Sequence, residues 1–243
     1  MENQKLTKKE RYELKKQDKH EILQKLEKQR KAKRFLFWGG ALLILAVSVW
    51  GVSKWAVNTA PDYTDKSVDV VTDTDWIKGN PESKVTLLEY ADFQCPACQT
   101  YYFFVKQLEE EFGDKIKIVF RHLPLRSIHA RAQLAGQAAE AAGLQGKFWE
   151  MHNVLFEKQS EWTTGNHEDL FVNYAREMGL DVEQFKIDLE SQPVQDKVDS
   201  GYSNAVNAGL TSTPSFFING KKISNPRDYN TFKNLINEAL QTT

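Results

Sequence analysis

Two cysteines, Cys95 and Cys98, are the only thiols in 243 residues, and they stand three positions apart in Asp92-Phe93-Gln94-Cys95-Pro96-Ala97-Cys98-Gln99. Thiols at that spacing, at the start of a helix, can close a disulfide without distorting the chain and can pass two electrons by thiol–disulfide exchange. The reacting species is the thiolate, and an ordinary thiol is only about 3% ionised at pH 7. A working pair therefore needs its anion stabilised, which the unpaired N–H groups of a helix N-terminus can do. Pro96 suits a first helical turn, because its fixed φ is helical and its missing N–H would have found no helical partner there. On this reading Cys95 is the exposed thiol that forms a mixed disulfide with a substrate. Cys98, one turn in and shielded, resolves that bond or is the thiol first released.

Two other uses of a cysteine pair compete with this one. Zinc would require two further ligands, and His122, His129, His152 and His167 show no tight pair spacing. A permanent structural disulfide closing so short a loop would restrain the unfolded chain very little.

The flanks predict the elements that must hold the pair. Residues 84–93, KVTLLEYADF, read as a mostly buried strand bounded by NPES and the Cys-Pro turn. CQTYYFFVKQLEEEFG follows with Tyr102, Val105, Leu108 and Phe112 at helical spacing and ends at Gly113. A second strand is predicted at 116–125, IKIVFRHLPL, and the strand–helix–strand order implies a right-handed parallel pair. From His129 to about Gly209 the pattern is helical throughout, in amphipathic runs separated by Gly or short polar turns. Strand character resumes in SFFINGKKI, 215–223, where Asn219-Gly220 signals a tight hairpin, and RDYNTFKNLINEALQ closes the chain as a helix. The expected class is α/β, a sheet with helices interrupted by a helical subdomain at about 128–209.

The N-terminal quarter has a different composition. Residues 1–34 hold 13 of the 32 Lys+Arg and 6 of the 33 Asp+Glu, so the net charge of -1 hides a basic arm and an acidic body. Residues 35–53, FLFWGGALLILAVSVWGVS, are uncharged, and as a helix would span roughly 28 Å, close to a bilayer core. Trp38, Trp50 and Trp55 sit near the ends of that run, where indoles favour the interface. An uncleaved anchor and a cleaved signal peptide both fit, and the long basic leader favours the anchor. The basic flank would then stay cytoplasmic and place the body outside. As a nucleic-acid or lipid-headgroup binder the arm is weak, since no aromatics are interleaved for base stacking, and it reads as a solvated positive flank. The domain plan is a basic cytoplasmic arm (1–34), a transmembrane anchor (35–57), a linker (58–75) and a folded domain (76–243).

From about Trp76 onward the chain resembles the DsbA-type thioredoxin-fold thiol:disulfide oxidoreductases, and most of all their membrane-tethered, BdbD-like relatives in Gram-positive cell envelopes. The resemblance is carried in order by LLEYADFQCPAC, FRHLPL, HARAQLAGQAAEAA and TSTPSFFING. It implies a thioredoxin-like fold with an inserted helical subdomain, preceded by the single transmembrane helix. It also implies that Pro214 follows a cis peptide and packs against the cysteine pair, and that Thr213 offers backbone groups to an extended substrate strand. Glu89, six residues before Cys95, matches the family's buried carboxylate, which exchanges a proton with Cys98. One position departs from the pattern: Ala97 stands where the strongly oxidising member has His, so a donor near Cys95 is missing.

The expected activity is that of an extracytoplasmic oxidoreductase introducing disulfides into secreted or surface proteins. Cys95, Cys98 and Glu89 are catalytic, Thr213 and Pro214 bind substrate, and Pro96 and Ala97 form the active-site turn. No cofactor beyond the Cys95–Cys98 disulfide, no metal and no nucleic acid are expected. The partners are unfolded or partly folded secreted proteins, membrane lipid through the anchor, and a quinone-linked membrane reoxidase. A reductase or isomerase, or a non-catalytic anchored binding protein or chaperone, are the competing readings.

Overall fold

A computed structural model describes residues 71–242. The predicted arm and anchor lie outside the described residues, within which no helix is long and apolar enough to cross a membrane. The strands are β1 (Trp76–Gly79), β2 (Thr86–Ala91), β3 (Lys117–His122), β4 (Ser215–Ile218) and β5 (Lys221–Lys222). The helices are α1 (Pro96–Phe112), α2 (Ala132–Leu144), α3 (Phe148–Glu157), α4 (Gln159–Thr164), α5 (His167–Glu177), α6 (Val182–Leu189), α7 (Gln192–Asn207) and α8 (Tyr229–Gln241). The fold is thioredoxin-like α/β, with α2–α7 inserted between β3 and β4.

The sheet order is β1-β3-β2-β4-β5. β2 and β3 run parallel, as the strand–helix–strand order predicts, and the other pairs are antiparallel. β2 is central and buried on both faces, which explains its near-continuous apolar sequence. Leu87 packs against α1 and α8 with Leu108, Phe112 and Phe232, while Leu88 and Tyr90 pack on the opposite face with Val119, Ala205 and Phe217. By strand alternation Glu89 falls on the face of Leu87, toward α1. The Asn-Gly hairpin forms as predicted. Asn219 (φ 48) and Gly220 (φ 79) both take the left-handed region, and Asn219 Oδ1 accepts the Thr86 N–H at 2.8 Å, tying the hairpin to β2.

Three features escaped the sequence reading. β1 is four residues with no alternation, yet it pairs along β3 from Trp76↔Phe120 to Gly79↔Lys117. α4 is a six-residue helix ending at Gly165, in a stretch that reads as a polar turn between two longer helical runs and is too short for a periodic signal of its own. Residues 71–75, assigned to the linker, are held by the domain: Val71 packs against the buried cluster that holds Leu88, Val119 and Phe217, and Asp75 accepts from Arg121 Nε and Nη2 at 2.8 and 2.6 Å. The second strand stops at His122, short of the predicted 125, because the Leu123–Pro124 corner leaves the ladder.

β1 also sets the packing of the insert. The Trp76 ring stacks on Phe148 with centroids 4.3 Å apart, and its Nε1 donates to Glu140 at 2.8 Å. α2 passes over the ring at Gly143, where an added Cβ would lie 2.5 Å from Trp76 Cζ2. Alanine in a helix gains roughly 0.5–1 kcal/mol over glycine, but overpacking a held ring costs about 1–3 kcal/mol. Gly143→Ala is therefore expected to lower the thermal midpoint measured by circular dichroism. A raised midpoint would show that the Trp76 ring is free to yield.

Candidate active site

Cys95 is the N-cap of α1, with extended backbone angles (φ -74, ψ 122) and its N–H donated to the Asp92 carbonyl at 3.1 Å. No side chain caps this helix end, and its first turn holds no acidic residue, which leaves its N–H groups to the sulfur. Both cysteines are free thiols. Cys98 is fully buried, and the Asp92 N–H donates to its Sγ at 3.5 Å. Cys95 is less open than expected, with only 8% of its surface exposed. The cause is the loop before β4, whose Thr213 carbonyl lies 3.7 Å from Cys95 Sγ. The Thr213–Pro214 peptide in that loop is cis. Pro96 and Ala97 are exposed at the tip of the turn.

The two sulfurs are driven in opposite directions. The Cys95 pKa is lowered to about 5, first by the Cys98 thiol donating to the anion and next by the N–H groups of Cys98 and Ala97, against the cost of burial. Thr213 contributes alongside them, ahead of the Ala97 N–H. Burial pushes the Cys98 thiol well above its ordinary value, and the Cys95 and Glu89 charges push it further. Glu89 is 4% exposed, its Oε1 has no hydrogen-bond partner, and burial raises its pKa to about 8. It borders a cavity of about 20 Å³ shared with Tyr102, Phe120 and His152, with Lys78 and Glu109 also on its wall. That is room for about one water.

Residues absent from the sequence reading hold this arrangement. The buried Asp92 carboxylate accepts from the Gln94 N–H (2.7 Å), the Leu125 N–H (2.8 Å) and His129 Nδ1 (2.8 Å). These bonds fold the chain at Asp92 so that its own N–H meets Cys98. An Asp whose carboxylate accepts the N–H two residues further on is a recognisable turn signal, so Asp92 was legible in principle. Arg121 and His122 on β3 are engaged away from Cys95: Arg121 with Asp75 and Tyr90, and His122 with Glu140 at 2.6 Å.

A free Cys-x-x-Cys pair at the N-terminus of the helix after a central strand, faced by a cis-proline loop, defines a thioredoxin-fold dithiol site. Residues 71–238 match the family model described as Thioredoxin, and the chain belongs to that family. Among solved structures, alpha-DsbA1 of Wolbachia pipientis superposes with a TM-score of 0.65 at 22% identity, over 73% of this chain and 97% of that one. Oxidised BdbD from Bacillus subtilis gives 0.59 at 25% identity, over 68% and 92%. The fold is thus that of the DsbA-type thiol–disulfide oxidoreductases. A curated relative from Mycolicibacterium gilvum, named Na(+)/H(+) antiporter NhaA 1, is 35% identical over 188 residues, 76% of this chain. The match spans 30% of that antiporter's length.

In the reduced protein, thiolate absorbance at 240 nm is expected to titrate with a midpoint near pH 5, and iodoacetamide at pH 7 to label Cys95 and spare Cys98. A midpoint near 9 would refute the assigned anion stabilisation. Glu89 supplies a second test. Its carboxyl ionises near 4.5 when unfolded and near 8 when folded, so it opposes folding increasingly as pH rises between those values. Glu89→Gln should match the wild type in urea denaturation at pH 4 and exceed it by a few kcal/mol at pH 8.

Proposed function

We propose that this protein is an extracytoplasmic thiol:disulfide oxidoreductase that introduces disulfides into secreted or surface proteins through Cys95 and Cys98. The observation that carries the reading is the opposed tuning of the two sulfurs, with Cys95 stabilised as an anion beside a buried, protonated Cys98. A stabilised Cys95 thiolate favours the reduced form of the pair, which makes its disulfide an oxidant. It also makes Cys95 the better leaving group.

The reaction balances on the chain's own residues and the substrate thiols. A substrate thiolate attacks Cys95 Sγ of the Cys95–Cys98 disulfide, forming a mixed disulfide and releasing Cys98 as a thiolate. Cys98 takes the proton that the raised Glu89 carboxyl holds at neutral pH. A second substrate thiolate attacks the substrate sulfur of the mixed disulfide and expels the Cys95 thiolate. Two electrons have passed to the pair, and a membrane reoxidase of the quinone-linked type removes them.

Substrate is held as an extended segment at Thr213, beside an open groove lined by Ser212, Pro214, Ser215, Lys222, Ile223 and Asn225. Residues 35–57 anchor the protein in the cell membrane by a single pass, with residues 1–34 cytoplasmic and the folded domain outside, as in BdbD-like proteins of Gram-positive envelopes.

Equilibration with glutathione tests the direction: a potential well above thioredoxin's, about −270 mV, is expected, and a value near it would favour a reductase. Cys98→Ser should accumulate mixed disulfides with envelope proteins through Cys95, visible on non-reducing gels. Full function of Cys95→Ser in cells would favour the non-catalytic binding protein.

A further inference from the structure

The active-site turn is gripped by the helical insert. Gln159, the first residue of α4, is 5% exposed, and its Nε2 donates to two carbonyls of the turn, Phe93 at 2.7 Å and Cys95 at 3.0 Å. Both protons of one amide are spent on acceptors two residues apart, which fixes the carbonyl that opens α1. Further ties flank this one. Gln99 Nε2 donates to the Phe156 carbonyl at 2.8 Å, and Gln94 Oε1 accepts the Arg131 N–H at 2.8 Å. Arg131 in turn donates from Nη1 to the Trp162 carbonyl on α4 at 2.7 Å.

We propose that Gln159 is a positioning residue for the Cys95 thiolate: by holding the Phe93 and Cys95 carbonyls it keeps Cys95 Sγ over the first-turn N–H groups of α1. The inference rests on the redox reading of the site and extends it to the insert. The Cys95 carbonyl is shared between the Gln99 N–H at 3.2 Å, the long end of the ordinary range, and Gln159 at 3.0 Å, so Gln159 shares in setting the orientation of the peptide between Cys95 and Pro96. Tilting that peptide swings the sulfur away from the Ala97 and Cys98 N–H groups. The insert thereby becomes part of the redox machinery through the backbone of the turn.

Gln159→Met preserves side-chain length and removes both donors. It should raise the 240 nm titration midpoint and shift the equilibrium constant with glutathione about tenfold toward the disulfide, roughly 30 mV. Gln137→Met is the control. Gln137 is buried in the same insert, and its Nε2 donates to the Leu189 carbonyl at 2.8 Å, away from the turn. It should lower the thermal midpoint as much and leave the titration and the constant unchanged. The proposal is overturned if Gln159→Met stays within twofold of wild type, or if Gln137→Met moves the constant equally. Should Gln159→Met fail to fold, the wild-type side-chain amide resonances decide: those of Gln159 must shift between reduced and oxidised protein while those of Gln137 stay, and a static Gln159 signal refutes it. A wild-type midpoint near 9 would bring down the redox reading and this inference together, whereas one near 5 with an unchanged Gln159→Met brings down this inference alone.

Discussion

The convergence on the Cys95 sulfur of the Cys98 thiol and, behind it, of first-turn N–H groups of α1 is the interaction on which the site depends. An ordinary thiol is about 3% ionised at pH 7, whereas one lowered to about 5 is almost wholly thiolate. This stabilisation uses backbone dipoles and a neighbouring thiol in place of a cationic side chain. It therefore survives Ala97, the position where a donor is missing relative to the strongly oxidising family pattern. Its requirement is geometric: the sulfur must sit on the helix axis, and the turn from Asp92 to Cys98 must not relax.

Rigidity of that turn comes from three directions. Below it, β2 is clamped between β3 and β4 and buried on both faces. Within it, the Asp92 carboxylate collects three donors and aims the Asp92 N–H at Cys98. From the insert, Gln159 and Arg131 hold carbonyl and amide groups of the turn. The burial that makes this possible also separates the two sulfurs chemically. Cys95 keeps an exposed corner and partners for its anion, while Cys98 and Glu89 are enclosed in apolar surroundings that favour their protonated forms.

The comparisons fit a portable domain. The family match begins at residue 71, five residues before β1. Similarity to much longer antiporters is confined to a stretch covering 76% of this chain and 30% of the relative.

What the sequence determined by itself was whatever is encoded between near neighbours. The cysteine pair, the Pro96 helix start, the amphipathic α1 and the Asn219–Gly220 hairpin are all written within a few residues, because turn chemistry and side-chain period are local. Short elements without a period, β1 and α4, were invisible for the same reason. Tertiary structure alone decided how the turn is surrounded. Thr213 reaches Cys95 across 118 residues and Gln159 across 64, and no local pattern specifies either partner. The unexpected shielding of Cys95 and the diversion of Arg121 to Asp75 belong to this second group. A thiol's reactivity depends on the dipoles, burial and charges within a few ångströms of it, and those neighbours come together only when the chain folds.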